Sequence, residues 1–330
     1  MKHQQSRTTD ATSRTNRSFP TGLWALVLAG GDGVRLRDLT GAIAGAPIPK
    51  QYCRLLGQHS LFEAALDRAE QVASKEHTLV IVTRDHLGIA PDQLARVAAK
   101  NVLVQPSNRD TGPGVLFALL ELTRRDPGAT VAVFPSDHFI GDDVGFAAYV
   151  ERAVRIVAQL PSKVVILGIR PDRPESGFGY IATGEPLKGP TTLGAFHVEA
   201  FVEKPAADLE RMLRARGGLW NSFVMVFRVR RMVTLLRTVR PEDVARMRSL
   251  RDRLSVIPEA YDQLDRWNFS SHFLGRIAKE LVVVRVDDLH WNDWGTPNSI
   301  YHTLAILNQA PPWSLPVIPS APPSPHAATA

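Results

Sequence analysis

An apolar run, Leu23 to Leu28, ends in Leu28-Ala29-Gly30-Gly31-Asp32-Gly33-Val34-Arg35-Leu36, and Pro49-Lys50-Gln51 follows soon after. A buried strand that stops in a turn with three glycines points to an α/β architecture. Such a turn bends sharply and presents N–H groups to an anion without interference from Cβ atoms. Arg35 adds a permanent charge in fork geometry and Lys50 a mobile point charge, a combination that suits a triphosphate. Two better-known glycine loops are excluded. The dinucleotide fingerprint needs a third glycine where Leu36 stands, and a P-loop needs Gly-Lys-Ser/Thr, whereas Lys50 lies between Pro49 and Gln51. Taken alone, the stretch fits an ordinary glycine-rich strand-to-helix turn equally well.

Further along, β-rich runs alternate with helical patterns. His77–Thr83, Asn101–Gln105, Thr130–Phe134 and Val164–Ile169 read as strands, and Leu61–Ala73, Pro91–Ala99, Val115–Arg124 and Phe146–Ala158 as helices. This order predicts an α/β fold: a doubly wound, mostly parallel mixed sheet with flanking helices, in a single main domain. Its ligand should lie outside the carboxyl ends of the strands. Ala195–Val202, Ser222–Val229 and Leu281–Val286 read as strands extending the same sheet, and Ser299–Asn308 as a last helix.

The chain has 330 residues, 44% of them hydrophobic, enough for a large core. No apolar stretch reaches the roughly 18 residues of a membrane span, and residues 1–21 lack the apolar centre of a signal peptide, so a cytoplasmic location is expected. The single cysteine, Cys53, excludes an intrachain disulfide and a multi-cysteine metal site, and reads as a buried spectator thiol. The net charge is +6, but Lys2, Arg7, Arg14 and Arg17 against Asp10 place half of it on the N-terminal tail. The arginine-rich run 228–253 reads as a solvated amphipathic surface. Neither nucleic acid nor a membrane is expected as a partner.

Several runs carry candidate chemistry. Asp137 follows the strand Val131-Ala132-Val133-Phe134, and Asp293 stands in Trp291-Asn292-Asp293-Trp294-Gly295. Two carboxylates from distant strand ends can share one Mg²⁺; equally, Asp137 caps a segment and Asp293 starts a turn. In Gln105-Pro106-Ser107-Asn108-Arg109-Asp110-Thr111, amide and hydroxyl groups are suited to reading the edge of a base, while Arg109 either touches phosphate or pairs with Asp110. Pro174 to Ile181, with Gly179 and Tyr180, sets glycines around aromatics where a sugar can approach the backbone. Glu203-Lys204 and Asn221 match a ligand with hydroxyls and a phosphate.

Together these motifs resemble, in order, the sugar-1-phosphate nucleotidyltransferases, and among them the bacterial mannose-1-phosphate guanylyltransferases, over about Leu23 to Leu307. The resemblance implies the fold of that family and transfer of a nucleotidyl group from a nucleoside triphosphate to a sugar 1-phosphate, with GTP and mannose 1-phosphate as the expected pair. It implies that Asp137 and Asp293 hold Mg²⁺ and that Arg35 and Lys50 meet the phosphates. Leu28, Ala29, Gly30, Gly31, Gly33, Gln105, Asn108, Arg109 and Thr111 are expected around the nucleotide, and Gly179, Tyr180, Glu203, Lys204 and Asn221 around the sugar phosphate. The expected domain spans 22–310, with a nucleotide-binding half (22–170) and a sugar-phosphate half (171–310), between tails at 1–21 and 311–330. A homodimer is compatible with the fold, though no residue demonstrates it, and no second, isomerase-type activity is expected.

The chain departs from the family pattern in places. Arg37-Asp38 replaces an aromatic and a proline, Asp110, Gly112 and Gly114 replace an Asn and two Ala, and Phe223 stands where glycine is usual. These leave the reaction type intact and the base and sugar open, so uridylyl, thymidylyl or adenylyl transfer to another hexose phosphate remains an alternative, as does a silent nucleotide-sugar-binding protein. The expected nucleophile is a phosphate oxygen, already ionised at pH 7, which accounts for the absence of a Ser-His-Asp arrangement.

Overall fold

The computed structural model describes residues 22–313 apart from 190, 191, 193 and 252–258. The expected tail 1–21 and most of the expected tail 311–330 lie outside the described residues. Trp313, inside the second of these, is part-buried against a cluster that includes Leu36, Leu39 and Trp294.

Nine strands form one sheet among the described residues: β1 (Leu23–Leu28), β2 (Thr78–Thr83), β3 (Val102–Gln105), β4 (Thr130–Pro135), β5 (Val164–Ile169), β6 (Gly179–Pro186), β7 (Ala195–Glu203), β8 (Leu219–Arg228) and β9 (Leu281–Val286). Their order is β3-β2-β1-β4-β8-β5-β9-β7-β6. The expected mixed sheet is present, with its parallel part limited to β3-β2-β1-β4 and the β5–β9 pair. The pairs made by β8, β6 and β7 run antiparallel.

Period-two alternation along β1 builds two cores. Trp24 and Leu26 face the helices Thr111–Arg125 and Val229–Val239. Leu23, Ala25 and Val27 face the helices Leu61–Glu70 and Asp143–Gln159. Helices on both faces make the sheet doubly wound. Leu61–Glu70 starts where the sequence says, through a capping box in which Ser60 Oγ accepts from Glu63 N and Glu63 Oε2 accepts from Ser60 N. Among the described residues no helix is long and apolar enough to cross a membrane.

The chain runs outward from β1 through β2 to β3, then returns to place β4 on the other side of β1. That reversal opens a crevice beyond the carboxyl ends of β1 and β4. Ser136 N, just past β4, donates to Leu28 O at 3.1 Å, so the loops that follow the two strands leave side by side.

Some elements differ from expectation. The helix expected over 91–99 stops at Leu94, after which bonding tightens to three-residue steps, with Arg96 N on Gln93 O and Val97 N on Leu94 O. Strand β6 begins at Gly179, inside the glycine-bearing run to which the sequence assigned no strand; pairing with β7 and β8 overrides its weak local propensity. The arginine-rich stretch forms the helices Val229–Val239 and Pro241–Arg251, with Met232, Val233 and Leu236 in the core and Arg230 and Arg237 exposed.

Residues 259–270 cross the helix Thr111–Arg125 at its N-terminus. Gly112 N donates to Trp267 O at 3.0 Å, and Phe269 N donates to Thr111 Oγ1 at 2.9 Å. A Cβ at Gly112 would stand 2.2 Å from Trp267 Cδ2, so only glycine lets the indole lie against this turn. We expect Gly112→Ala to destabilise the fold by about 1–3 kcal/mol through overpacking. Thermal denaturation should show a midpoint several degrees lower; an unchanged midpoint would mean that Trp267 does not press on that glycine.

Candidate active site

The glycine loop leaves β1 with its carbonyls tied down one after another. Ala29 O accepts from Tyr52 Oη at 2.8 Å, Gly30 O from Thr83 Oγ1 at 2.9 Å and Gly31 O from Gln51 Nε2 at 2.7 Å. In a trans peptide the N–H points opposite to the preceding C=O. Pinning these carbonyls therefore turns the following amides toward the cleft that Gly30, Gly31 and Asp32 line. Gly33 closes the turn at φ +58°, and a Cβ there would meet Lys50 N at 2.9 Å. The turn and the Pro49-Lys50-Gln51 segment thus pack as one unit.

Lys50 is buried, which corrects the expectation of a mobile charge. Its ammonium donates to Trp294 O at 3.2 Å and to Asp293 O, and lies 3.3 Å from Asp137 Oδ2. Burying such a cation is costly, and these partners offset that cost. Arg35 is two-thirds exposed (66%), with Nη2 3.9 Å from Asp293 Oδ2. The loops bearing the aspartates are joined by paired backbone bonds, Phe139 N to Asn292 O at 2.8 Å and Asn292 N to Phe139 O at 3.0 Å. Desolvation opposes ionisation of Asp137, yet Lys50 and then His138 outweigh it and hold its carboxyl below the usual range. Burial lowers the His138 imidazole below its ordinary value, against the pull of Asp137.

The donor set suits a hard cation completed by substrate oxygens and water. Asp137 is 40% exposed toward the cleft and Asp293 19%, and the Asp293 Oδ1 atom is held by Gly295 N at 2.9 Å. Among the described residues no cluster of three or more His, Cys, Asp or Glu forms a closed metal cage. Two carboxylates facing phosphate oxygens is the arrangement Mg²⁺ favours.

On one side of this centre, Gln105 is almost fully buried. Thr83 spends its hydroxyl proton on Gly30 O, so its oxygen accepts from Gln105 Nε2 at 3.2 Å. That fixes the amide orientation and aims Gln105 Oε1 at the Tyr261 hydroxyl, 3.1 Å away. Asn108 Nδ2 donates to Asp32 Oδ2 at 2.9 Å and its Oδ1 accepts from Asp110 N at 2.8 Å. Leu28, Gly30, Gly31, Gly33, Gln105, Asn108 and Thr111 all line the cleft.

Ala29 and Arg109 do not line it. Ala29 is fully buried and acts through its carbonyl as the anchor described above. The Arg109 guanidinium turns to the carbonyl of Leu264, with Nε at 2.9 Å, and so touches neither the cleft nor Asp110. It serves the 259–270 segment instead.

On the other side, Gly179, Glu203, Lys204 and Asn221 line the same cleft, whose volume is about 570 Å³. Tyr180 does not. It follows Gly179 on β6, so alternation sends it to the opposite face, where its hydroxyl donates to Glu210 Oε1 at 2.7 Å. Burial raises the Glu203 carboxyl above its ordinary value, partly offset by Lys204. Phe223 adopts φ +60°, a backbone that glycine reaches freely, and its ring meets Phe269 at 5.9 Å on the cleft wall. Burial pushes the Cys53 thiol up to about 11, as befits a spectator.

Sequence reasoning assigned no role to Gln51 or Thr83, although Gln51 stands in a motif it singled out. Arg266, Asn268 and Ser270 also line the cleft. They come from a segment whose described helices, Glu259–Asp262 and Phe269–His272, have four residues each, too short to leave a periodic signal.

Several known proteins are similar to this chain. The xanthan biosynthesis protein XanB of Xanthomonas campestris pv. campestris is 36% identical over 219 residues, which is 66% of this chain and 44% of XanB. Mannose-1-phosphate guanylyltransferase ManC of Salmonella typhimurium is 31% identical over 297 residues, 86% of this chain and 60% of ManC. The chain thus spans between 44% and 60% of the length of these two relatives. A crystal structure described as mannose-1-phosphate geranyltransferase from Thermus thermophilus superposes with a TM-score of 0.72 at 29% identity, covering 83% of this chain and 76% of that one. A profile of the nucleotidyl transferase family matches residues 24–309, from β1 to beyond the last helix, and the chain belongs to that family.

Proposed function

We propose that this chain transfers a guanylyl group from GTP to mannose 1-phosphate, releasing pyrophosphate and forming the nucleotide sugar. The observation that carries the reading is a single cleft in which amides of the glycine loop, Arg35 and Lys50 face Asp137 and Asp293. The names of relatives such as ManC support the choice of GTP and mannose 1-phosphate. A nucleoside triphosphate as substrate supports a cytoplasmic site of action.

In this mechanism an oxygen of the sugar phosphate attacks the α-phosphorus, a new P–O bond forms, and the bond from the α-phosphorus to the bridging oxygen breaks with its electrons on pyrophosphate. A phosphate monoester with a second pKa of about 6 is mostly a dianion at pH 7, so the chain need not supply a general base. His138 is not required to take a proton. The obstacle is repulsion between two anions and charge building on the leaving group, and positioning plus fixed positive charge overcomes it.

The amides of Gly31 and Asp32 cradle the triphosphate, and Arg35 is free to swing onto its β and γ groups. Lys50 stays in place and neutralises Asp137. Glu203 and Asn221 orient the sugar hydroxyls, and Lys204 meets the sugar phosphate. Asp137 and Asp293 would hold Mg²⁺, which when bound supplies charge neutralisation between the two phosphates.

Pyrophosphate release measured across four nucleoside triphosphates and several sugar 1-phosphates should be fastest with GTP and mannose 1-phosphate; absence of release with every pair would overturn the reaction. Arg35→Ala should lower kcat by roughly 10²-fold, the scale for losing a charge-stabilising donor. Steady-state kinetics that match the parent would remove Arg35 from catalysis. Gln51→Leu releases one pinned carbonyl, a loss of about 1 kcal/mol. It should raise KM for the triphosphate several-fold and leave KM for the sugar phosphate in place, whereas an equal rise in both would deny the loop its role.

A further inference from the structure

Two aromatic rings tie the aspartate loops together from behind. Phe139 lies two residues past Asp137, and Trp294 directly follows Asp293. Their rings stack with centroids 4.9 Å apart and planes within 7° of parallel. Beside the stack run the paired backbone bonds between Phe139 and Asn292. We infer that the Phe139–Trp294 stack is a positioning device that sets the spacing of the two carboxylates for a divalent cation. The inference rests on the reading of Asp137 and Asp293 as metal ligands.

Trp294 is held in a way that ordinary packing does not call for. It is fully buried and adopts φ +48°, a left-handed backbone unusual for a bulky residue. Such strain persists only where the surroundings over-determine it. Here Trp294 N donates to Asn292 Oδ1 at 3.0 Å, its Nε1 donates to Thr303 Oγ1 at 3.0 Å, and its carbonyl accepts from Lys50 Nζ at 3.2 Å. The left-handed step at Trp294 sets the direction in which the chain carries Asp293. The bridge at Phe139 does the same for Asp137.

The need for such a device follows from charge. Two carboxylates on separate loops repel one another, and the Lys50 ammonium meets Asp137 through its side chain but Asp293 only through its carbonyl. Among the described residues, the Asp293 side chain therefore has no buried cation of its own. Its Arg35 partner is 3.9 Å away and largely exposed. The stack supplies mechanically what the charges do not.

The ring pair also borders a cavity of about 160 Å³ lined by Leu55, Leu61 and Ile140. Truncated side chains can relax into that space, so loss of the stack loosens the loops without forcing a clash. Groups that orient metal ligands from outside the coordination sphere change affinity by about 10- to 100-fold when removed.

The test uses Mn²⁺ as probe, with binding to the protein followed by electron paramagnetic resonance in the absence of substrates. Phe139→Leu and Trp294→Leu should each weaken Mn²⁺ binding about tenfold. The Mg²⁺ concentration for half-maximal activity should rise by the same factor, with kcat largely regained at saturating Mg²⁺. Trp294→Phe keeps a ring on Phe139 and should recover most of the Mn²⁺ affinity. If Trp294→Leu does not fold, Phe139→Leu, at a part-exposed ring, carries the test. Folded leucine variants that bind Mn²⁺ like the parent overturn the inference, provided Asp137→Asn weakens binding. Unchanged binding in Asp137→Asn instead overturns the assignment of the ligands.

Discussion

The buried ammonium of Lys50 is the interaction on which the site depends. Among the described residues it is the one charge that touches both aspartate loops, and its backbone packs against the glycine turn at Gly33. A cation taken out of water is tolerated only when its partners are in place, and removing one partner leaves the other uncompensated. Lys50 therefore makes the turn after β1, the loop after β4 and the loop after β9 a single electrostatic unit. It holds Asp137 ionised, and its own position depends on the carbonyls of Asp293 and Trp294 being turned inward.

Around this unit the fold divides labour between backbone and side chain. The glycine turn acts through peptide groups, whose orientation is set from behind by Gln51, Tyr52 and Thr83. The opposite wall acts through side chains on β7 and β8, where Glu203 and Asn221 face the cleft. Peptide groups are rigid and suit an anion of fixed geometry; longer side chains suit a ligand rich in hydroxyls. The 259–270 segment closes the cleft over Gln105 and Thr111, and its fit depends on two residues without Cβ or with unusual backbone, Gly112 and Asp110.

Much of this was legible in the sequence, for definable reasons. β1, β5 and β9 match their expected limits residue for residue because each is an apolar run, interrupted in β9 only by Arg285, with polar or turn-forming residues close by on either side. The cleft residues written into short ordered motifs, Arg35, Lys50, Asp137, Glu203 and Asp293, converge in space. Direction was less legible than position. Tyr180 sits beside Gly179 in the same motif, but the pleat turns it away, and nothing in the run announced that a strand begins there. Arg109 was read from its charge, while its guanidinium is claimed by a carbonyl more than 150 positions downstream, a partner no local pattern reveals. The same long range hid Asn268 and Arg266.

Strand β8 has a consequence for how the chain comes to be made. It lies between β4 and β5, pairing antiparallel with both, so the part of the sheet begun by the first four strands is joined to the rest by residues 219–228. During synthesis, β4 must wait with one edge unpaired while everything up to Arg228 emerges from the ribosome. An open strand edge of that kind is a template for association with other chains. The emerging first half is thus more exposed to misassembly than the finished protein, and a break in the chain ahead of Leu219 would leave that edge permanently bare.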